Sequence, residues 1–188
     1  MERLDSLLKI SGVVKESIVD GPGIRYVVFT QGCPHHCEGC HNPGTHDFEG
    51  GKYVKIDDIV EDIKKNPMIQ GVTISGGEPF MQATQVAKLI SKLDLSKYNI
   101  MTYTGFEYEY LLKNANEDNG YMALLKSTDI LIDGKFDISK KSFFLPFRGS
   151  TNQRSIDVKK SLNENKLYLY DFENRSSVCC FKMWLRGK

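Results

Sequence analysis

The chain has 188 residues, 40% of them hydrophobic and 26% charged, an ordinary balance for a globular protein with one core. A formal net charge of +1 gives no electrostatic reason to expect nucleic acid or an anionic membrane as a partner. No apolar run approaches the length of a bilayer span, and residues 1–10 lack the apolar region of a signal peptide. We therefore expect a cytoplasmic protein, in which clustered cysteines are more often ligands or catalysts than disulfides.

Strand and helix patterns alternate along the chain. Runs rich in β-branched and aromatic residues predict strands at residues 11–17, 24–30, 72–75, 100–103 and 129–132. Apolar residues at helical spacing predict helices at residues 55–66, 82–93, 108–114 and 121–126. Such alternation implies right-handed crossovers and a mainly parallel sheet, and hence an α/β fold in a single domain.

Four unusual motifs each follow a predicted strand. A cysteine-rich loop follows residues 24–30, and the sequences GGEP, TG and DG follow the next three strands. Because parallel strands end at the same edge of a sheet, we expect these motifs to lie together at that edge. Open α/β sheets bind their ligands there.

Residues 31–43, QGCPHHCEGCHNP, hold most of the soft metal-ligand capacity of the chain. Three cysteines have the spacing C-x3-C-x2-C, namely Cys33, Cys37 and Cys40, and the histidines in and beside the loop are His35, His36, His41 and His46. Three thiolates can hold a 4Fe–4S cluster and leave one iron open, whereas structural or electron-carrying clusters usually take four thiolates. Zinc bound by three cysteines and one histidine is the alternative. The spacing alone favours the cluster and leaves zinc open.

The cysteine spacing, followed by GGEP after the next strand, resembles the radical S-adenosylmethionine superfamily. Within it, the run DGPGIR at residues 20–25 looks like the signature of the glycyl-radical activating enzymes. Five motifs between residues 12 and 162 are similar, in sequence and in order, to motifs of the activating proteins of anaerobic ribonucleoside-triphosphate reductases. They are GCPHHCEGCHNP, SGGEP, TYTG, DGKF and FRGSTNQR. Gly39 stands where the wider superfamily usually has an aromatic residue. Residues 172–188 match nothing in the family; they include Trp184 and the cysteines Cys179 and Cys180, which we expect to be unpaired thiols.

The resemblance implies an α/β fold that is a partial, open TIM-like barrel. It implies one radical S-adenosylmethionine domain at residues 1–171, followed by a tail of unknown role at residues 172–188. The implied cofactors are a 4Fe–4S cluster and S-adenosylmethionine. By the same resemblance no histidine binds iron, and the catalytic metal ligands are Cys33, Cys37 and Cys40.

Two short stretches are the expected contacts to S-adenosylmethionine. At Gly76, Gly77 and Glu78, glycines allow close approach to the backbone, and carbonyls with a carboxylate can accept hydrogen bonds from an ammonium group. The resemblance implies that this is the methionyl ammonium, although a plain strand-ending turn is the alternative for GGEP. It also implies that the adenosyl part contacts the backbone of Gly39, Cys40 and His41.

The resemblance gives weaker indications for three other segments. Asp20 and Arg25 would line the mouth that receives a partner protein, although DGPG is also a plausible turn. Arg148 and residues 152–154 would cap the sheet and contact that partner. The nucleoside or methionyl end would be held with help from Thr104, Gly105 and Asp133.

The implied activity is reductive cleavage of S-adenosylmethionine to methionine and a 5′-deoxyadenosyl radical. That radical would take a hydrogen atom from a glycine α-carbon in the large subunit of an anaerobic ribonucleoside-triphosphate reductase. The expected electron donor is a flavodoxin-like protein. The alternatives are another glycyl-radical enzyme as the target, a small substrate such as a 7-deazaguanine precursor or a peptide, and a non-catalytic zinc module.

Overall fold

The computed structural model describes residues 4–172, so the predicted tail, with Cys179, Cys180 and Trp184, lies outside the described residues except for Phe172. The described chain contains one seven-stranded sheet. Its strands are β1 (Leu7–Ser17), β2 (Arg25–Thr30), β3 (Lys52–Lys55), β4 (Gly71–Gly76), β5 (Asn99–Tyr103), β6 (Ile130–Asp133) and β7 (Arg154–Asp157). Its α-helices are α1 (Ile56–Lys65), α2 (Ala83–Ser91), α3 (Tyr108–Asn114), α4 (Tyr121–Ser127) and α5 (Val158–Asn163).

Parallel strands form the middle of the sheet. The strand order is β3-β1-β2-β4-β5-β6-β7, and β2, β4, β5 and β6 run parallel to one another. The pairings at the two edges are antiparallel, between β1 and both β2 and β3, and between β6 and β7. The predicted α/β fold with a mainly parallel sheet is confirmed.

The structure contains elements that the sequence patterns did not predict. Strand β1 begins at Leu7 rather than at residue 11, and β3, β7 and α5 were not predicted at all. Strand β3 is short and mostly exposed, and β7 has only four residues, so neither shows a clear alternation of apolar and polar side chains. Pairing with β1 and β6 stabilises these edge strands, and pairing is invisible in a local pattern.

Helices cover one face of the sheet. The predicted apolar faces of α1 and α2 are confirmed, because the residues at helical spacing are buried in one core: Ile56, Ile59, Val60, Ile63, Val86, Leu89 and Ile90. Burial of this apolar surface is the main favourable contribution to folding. Within residues 4–172, no helix is both long enough and apolar enough to cross a bilayer.

Segments of the chain itself cover part of the opposite face of the sheet. Met101, Ile130 and Ile132 form a smaller second core there, and Phe147 packs against it. The Tyr103 hydroxyl, at the end of β5, donates a hydrogen bond to the Phe147 carbonyl at 2.8 Å. The chain after β6 is therefore fastened across this second face of the sheet, close to the carboxyl ends of the parallel strands.

Candidate functional site

The four motifs lie at the carboxyl ends of the parallel strands, as predicted. The cysteine loop follows β2, GGEP begins at the last residue of β4, and residues 104–105 and 133–134 lie at the ends of β5 and β6. Hydrogen bonds join the first two motifs directly. The Gly77 N–H donates to the Thr30 carbonyl at 2.8 Å, and the Glu78 N–H donates to the Gly32 carbonyl at 2.8 Å.

The cysteine loop closes on itself at its base. The Gly32 N–H donates to the Thr45 carbonyl at 2.9 Å, and the Cys33 N–H donates to the His46 carbonyl at 3.1 Å. The buried Gln31 amide spans the same base, donating to the carbonyl of Asp47 at 2.7 Å. The loop is thus a closed unit whose shape depends on backbone hydrogen bonds.

Backbone N–H groups lie near the sulfur atoms of the loop, and the Asn42 N–H donates a hydrogen bond to Sγ of Cys40 at 3.4 Å. Cys33, Cys37 and Cys40 are free thiols, and their N–H neighbours belong respectively to His35, Phe136 and Asn42. Burial raises the pKa of the Cys33 and Cys37 thiols, and the N–H groups oppose that shift. Donors aimed at sulfur stabilise thiolates and are one means by which proteins tune iron–sulfur clusters. The donor set therefore fits a thiolate-bound cluster.

Glu78 connects three of the strand ends. Its fully buried carboxylate accepts hydrogen bonds from the Phe80 N–H at 3.0 Å and the Thr104 hydroxyl at 2.9 Å through Oε1. Oε2 accepts from the Gly105 N–H at 2.8 Å and from Nε2 of His35 at 2.7 Å. Because both oxygens already have two donors, this side chain holds the cysteine loop, GGEP and the end of β5 together.

Close backbone approach explains the paired glycines of GGEP. A Cβ on Gly77 would lie 2.4 Å from the Gly32 carbonyl oxygen, and a Cβ on Gly76 would lie 2.5 Å from the Thr30 nitrogen. Gly76 also has φ +98°, a left-handed conformation that strongly favours glycine. The glycines therefore let the cysteine loop cross directly over the end of β4.

The segment after β6 packs on the last third of the cysteine loop. A Cβ on Gly39 would lie 2.7 Å from Ile138, and the rings of His41 and Phe136 have centroids 4.9 Å apart. The predicted adenosyl contacts at residues 39–41 therefore lie against residues 136–138, of which the sequence had singled out only Phe136, as part of DGKF. Among the residues that the structure describes, no three His, Cys, Asp or Glu side chains converge as ligands of a single metal ion.

The structure corrects the prediction for Arg25. Its side chain is fully buried, and it donates to the Thr73 hydroxyl at 2.6 Å and to the carbonyls of Val72 and Asn99 at 2.9 Å each. Burial lowers the pKa of Arg25 to about 10, which still leaves the guanidinium charged at neutral pH. The prediction that Arg25 pairs with a partner is wrong, because this cation joins β2, β4 and β5 inside the fold.

The predicted ligand role of Asp133 is also wrong. Its carboxylate is 1% exposed, accepts the Tyr108 N–H at 2.8 Å and pairs with Arg154, which in turn binds Glu109 at 2.7 Å. These bonds tie β6 to β7 and α3. Asp20 is partly exposed, and its carbonyl accepts from the Thr73 hydroxyl, so its predicted partner role stays a prediction.

Sequence reasoning missed the role of His35. The histidines were expected to be bystanders to the metal, and His36 and His41 are exposed. The His35 side chain is only 6% exposed, bonds to Glu78 and contacts the Phe106 ring edge-on at 4.6 Å. A buried glutamate in GGEP needs a donor, and that requirement is the signal that could have suggested a histidine partner.

Comparison with known proteins identifies relatives along most of the chain. The family of 4Fe-4S single cluster domains matches residues 19–156. The anaerobic ribonucleoside-triphosphate reductase-activating protein of Enterobacteria phage T4 is 34% identical over 143 residues, covering 72% of this chain and 85% of the relative. The proteins of the same name from Vibrio cholerae and Escherichia coli K12 are 34% and 33% identical over 144 residues, with 89% and 90% of each relative covered.

A solved structure shows a weaker likeness. The crystal structure of QueE from Escherichia coli aligns with a TM-score of 0.39 and 15% sequence identity, covering 56% of this chain and 57% of that chain. At this level the likeness carries no argument about the site. The relatives and the matched family favour an iron–sulfur cluster over the zinc alternative.

Proposed function

Because this chain belongs to the family of anaerobic ribonucleoside-triphosphate reductase-activating proteins, we propose that it generates a glycyl radical on the large subunit of such a reductase. One observation supports this proposal most strongly. Three free thiols lie in one loop at the carboxyl ends of the parallel strands, the loop is hydrogen-bonded directly to GGEP, and the Asn42 N–H donates to the Cys40 sulfur. That arrangement suits a cluster with three protein ligands and a substrate beside it.

The cluster ligands in this proposal are Cys33, Cys37 and Cys40. When bound, the 4Fe–4S cluster would supply one electron for cleavage of S-adenosylmethionine at an iron without a protein ligand. The chain contributes position and electrostatics: N–H groups stabilise the thiolates, and the closed base of the loop fixes their spacing.

S-adenosylmethionine would contact the backbone of two segments next to the cluster ligands. In one segment we propose the carbonyl groups of Gly76 and Gly77, and in the other the backbone of Gly39, Cys40 and His41. Glu78 has a different part in this proposal, since its carboxylate already accepts four hydrogen bonds. It would position the glycine carbonyls and the cysteine loop, and the methionyl ammonium would bind to backbone oxygens.

The wider architecture suits a substrate that is part of another protein. We propose that the sheet is the predicted partial, open barrel, whose inner face at the carboxyl edge admits a loop of the reductase. A flavodoxin-like protein remains the proposed electron donor. Residues 1–171 would form the catalytic domain.

Anaerobic reconstitution tests the proposed function. The chain is loaded with iron and sulfide, reduced with dithionite, and mixed with S-adenosylmethionine and the large reductase subunit. The expected result is a brown protein that produces methionine and a glycyl radical doublet in the electron paramagnetic resonance spectrum. Cys33→Ala, treated identically, should give neither product.

Two outcomes would overturn parts of the proposal. A colourless protein that retains zinc and no iron would exclude the cluster. A brown protein that cleaves S-adenosylmethionine but leaves the reductase without a doublet would exclude this target, and other glycyl-radical enzymes would then be the next substrates to assay.

A further inference from the structure

Two neighbouring phenylalanines project from the protein beside the candidate site. Phe143 is 86% exposed and Phe144 is 96% exposed, which are the highest exposures among the large apolar side chains that the structure describes. They lie at the tip of the segment 140–151, which we name the FF hairpin. Two adjacent aromatic rings in water are costly for a folded chain, and such side chains are enriched at the centres of protein interfaces.

Backbone hydrogen bonds give the FF hairpin a defined shape. The Thr151 N–H donates to the Lys140 carbonyl at 2.9 Å, the Ser142 N–H donates to the Gly149 carbonyl at 3.1 Å, and Lys141 and Ser150 form an antiparallel bridge. The hydrogen-bonded base therefore holds the tip, with its two phenylalanine rings, in a defined position.

The base of the FF hairpin is fastened to the candidate site. A Cβ on Gly149 would lie 3.1 Å from the His41 ring and 2.9 Å from the Phe136 ring, so this strand of the hairpin lies against the end of the cysteine loop. The hairpin is also fastened to the sheet, because the Tyr103 hydroxyl at the end of β5 donates a hydrogen bond to the Phe147 carbonyl. Phe147 has φ +57°, an unusual conformation for a bulky residue, and these contacts maintain it.

We propose that the tip of the FF hairpin is a docking element for the protein that carries the target glycine. This inference rests on the proposed function, in which a loop of a second protein must reach the cysteine loop. The hairpin leads from the cysteine loop to the protein surface, because its base contacts His41 and its tip lies in solvent. The partner surface would offer an apolar pocket for the two rings.

The charges around the tip indicate the rim of that pocket. The Lys141 ammonium lies 4.9 Å from the centre of the Phe143 ring, and Lys140 lies beside it in the sequence, paired with Asp137 at 3.0 Å. A cation beside an exposed aromatic pair favours a pocket rimmed by carboxylates. The recognition chemistry is thus apolar at the centre and electrostatic at the edge.

The double variant Phe143→Ala/Phe144→Ala tests this proposal in the full-length, cluster-loaded chain. Iron content and cleavage of S-adenosylmethionine without the reductase should match the wild type, because neither ring contacts the candidate site in the described structure. The concentration of large subunit that gives half-maximal glycyl radical formation should rise by about tenfold or more, since burying even one phenylalanine is worth roughly a factor of ten. The maximal rate should change little.

Met68→Ala is the matched control. Met68 is also apolar and 63% exposed, but it precedes β4 and so lies at the amino ends of the parallel strands, opposite the candidate site. Its removal should leave the half-saturating concentration unchanged. Lys141→Glu should raise that concentration as well, and added salt should reduce the difference between this variant and the wild type.

The outcomes separate the docking role from the proposed function. If wild-type protein forms no radical on the reductase, the proposed function fails. If wild type forms it and the double variant has an unchanged half-saturating concentration, only the docking role is overturned. A wild-type dimer in sedimentation that the double variant loses, with activation unchanged, would assign the tip to contact between two copies and would also overturn the docking role.

Discussion

Replacing His35 with alanine would release the cysteine loop from Glu78. The substitution removes a 2.7 Å hydrogen bond to a fully buried carboxylate and an edge-on ring contact with Phe106 at 4.6 Å. A hydrogen bond to a charged group contributes about 1.5–3 kcal/mol, and an aromatic pair adds about 0.5–1.5 kcal/mol. We therefore expect His35→Ala to lower the free energy of unfolding by about 2–4.5 kcal/mol, a large part of the stability of a typical domain.

Urea unfolding of the metal-free protein, followed by circular dichroism under anaerobic conditions, measures this loss. His36→Asn is the matched control, because His36 is exposed in the same loop and asparagine tolerates its φ of +46°. The control should change the free energy of unfolding by less than about 0.5 kcal/mol. His35→Gln retains a donor and should restore part of the lost stability.

The same variants separate a local role from a general loss of stability. At a temperature where all remain folded, His35→Ala should incorporate less iron and bind S-adenosylmethionine more weakly, whereas His36→Asn should match the wild type. A loss of less than about 1 kcal/mol for His35→Ala, or one no larger than for the control, would refute the role assigned to the His35–Glu78 pair.

Three further sets of substitutions give independent expectations. Alanine in place of any one of Cys33, Cys37 and Cys40 should abolish both iron incorporation and cleavage of S-adenosylmethionine. Cys179→Ala is the control and should remain active. Gly77→Ala would place a Cβ 2.4 Å from the Gly32 carbonyl and should cost at least about 2 kcal/mol in urea unfolding, whereas Gly44→Ala, with nothing within 4 Å, should cost little. Arg25→Lys should lose about 2–4 kcal/mol in the same assay, because an ammonium cannot reproduce the planar fork that binds two strands. If Gly77→Ala were as stable as Gly44→Ala, or Arg25→Lys as stable as the wild type, the contact assigned to that residue would be contradicted.

Local sequence patterns predicted most of the strands and helices, and they predicted that the site lies at the carboxyl ends of the parallel strands. The helical spacing in α1 and the runs of β-branched and apolar residues in β2 and β4 are local signals, so the predicted bounds agree with the structure to within one or two residues. Placement of four motifs at one edge followed from the parallel sheet. The resemblance added the identity of the chemistry, and the relatives support it.

Long-range hydrogen bonding explains what the sequence could not reveal. Arg25 was expected at a protein surface because the resemblance placed it at the mouth that receives a partner, but its hydrogen-bond partners Thr73 and Asn99 are 48 and 74 residues away. The partner of His35 is 43 residues away. Neither pairing leaves a periodic trace, since each depends on which strand ends the fold brings side by side.

Side chains and backbone have different tasks at the carboxyl edge. The buried side chains there, Glu78 above all, bind segments of the chain to one another, and their hydrogen-bonding capacity is used internally. The Gly77 and Glu78 N–H groups are also used internally, so the proposal assigns the ligand to the carbonyl groups of Gly76 and Gly77. Because GGEP also donates two backbone hydrogen bonds, one to Gly32 of the cysteine loop and one to Thr30 just before it, a metal site and a ligand site built on these segments would move as one unit. A change that loosens the loop should therefore weaken iron binding and S-adenosylmethionine binding together, and a variant that separates the two would show that these contacts do not couple them.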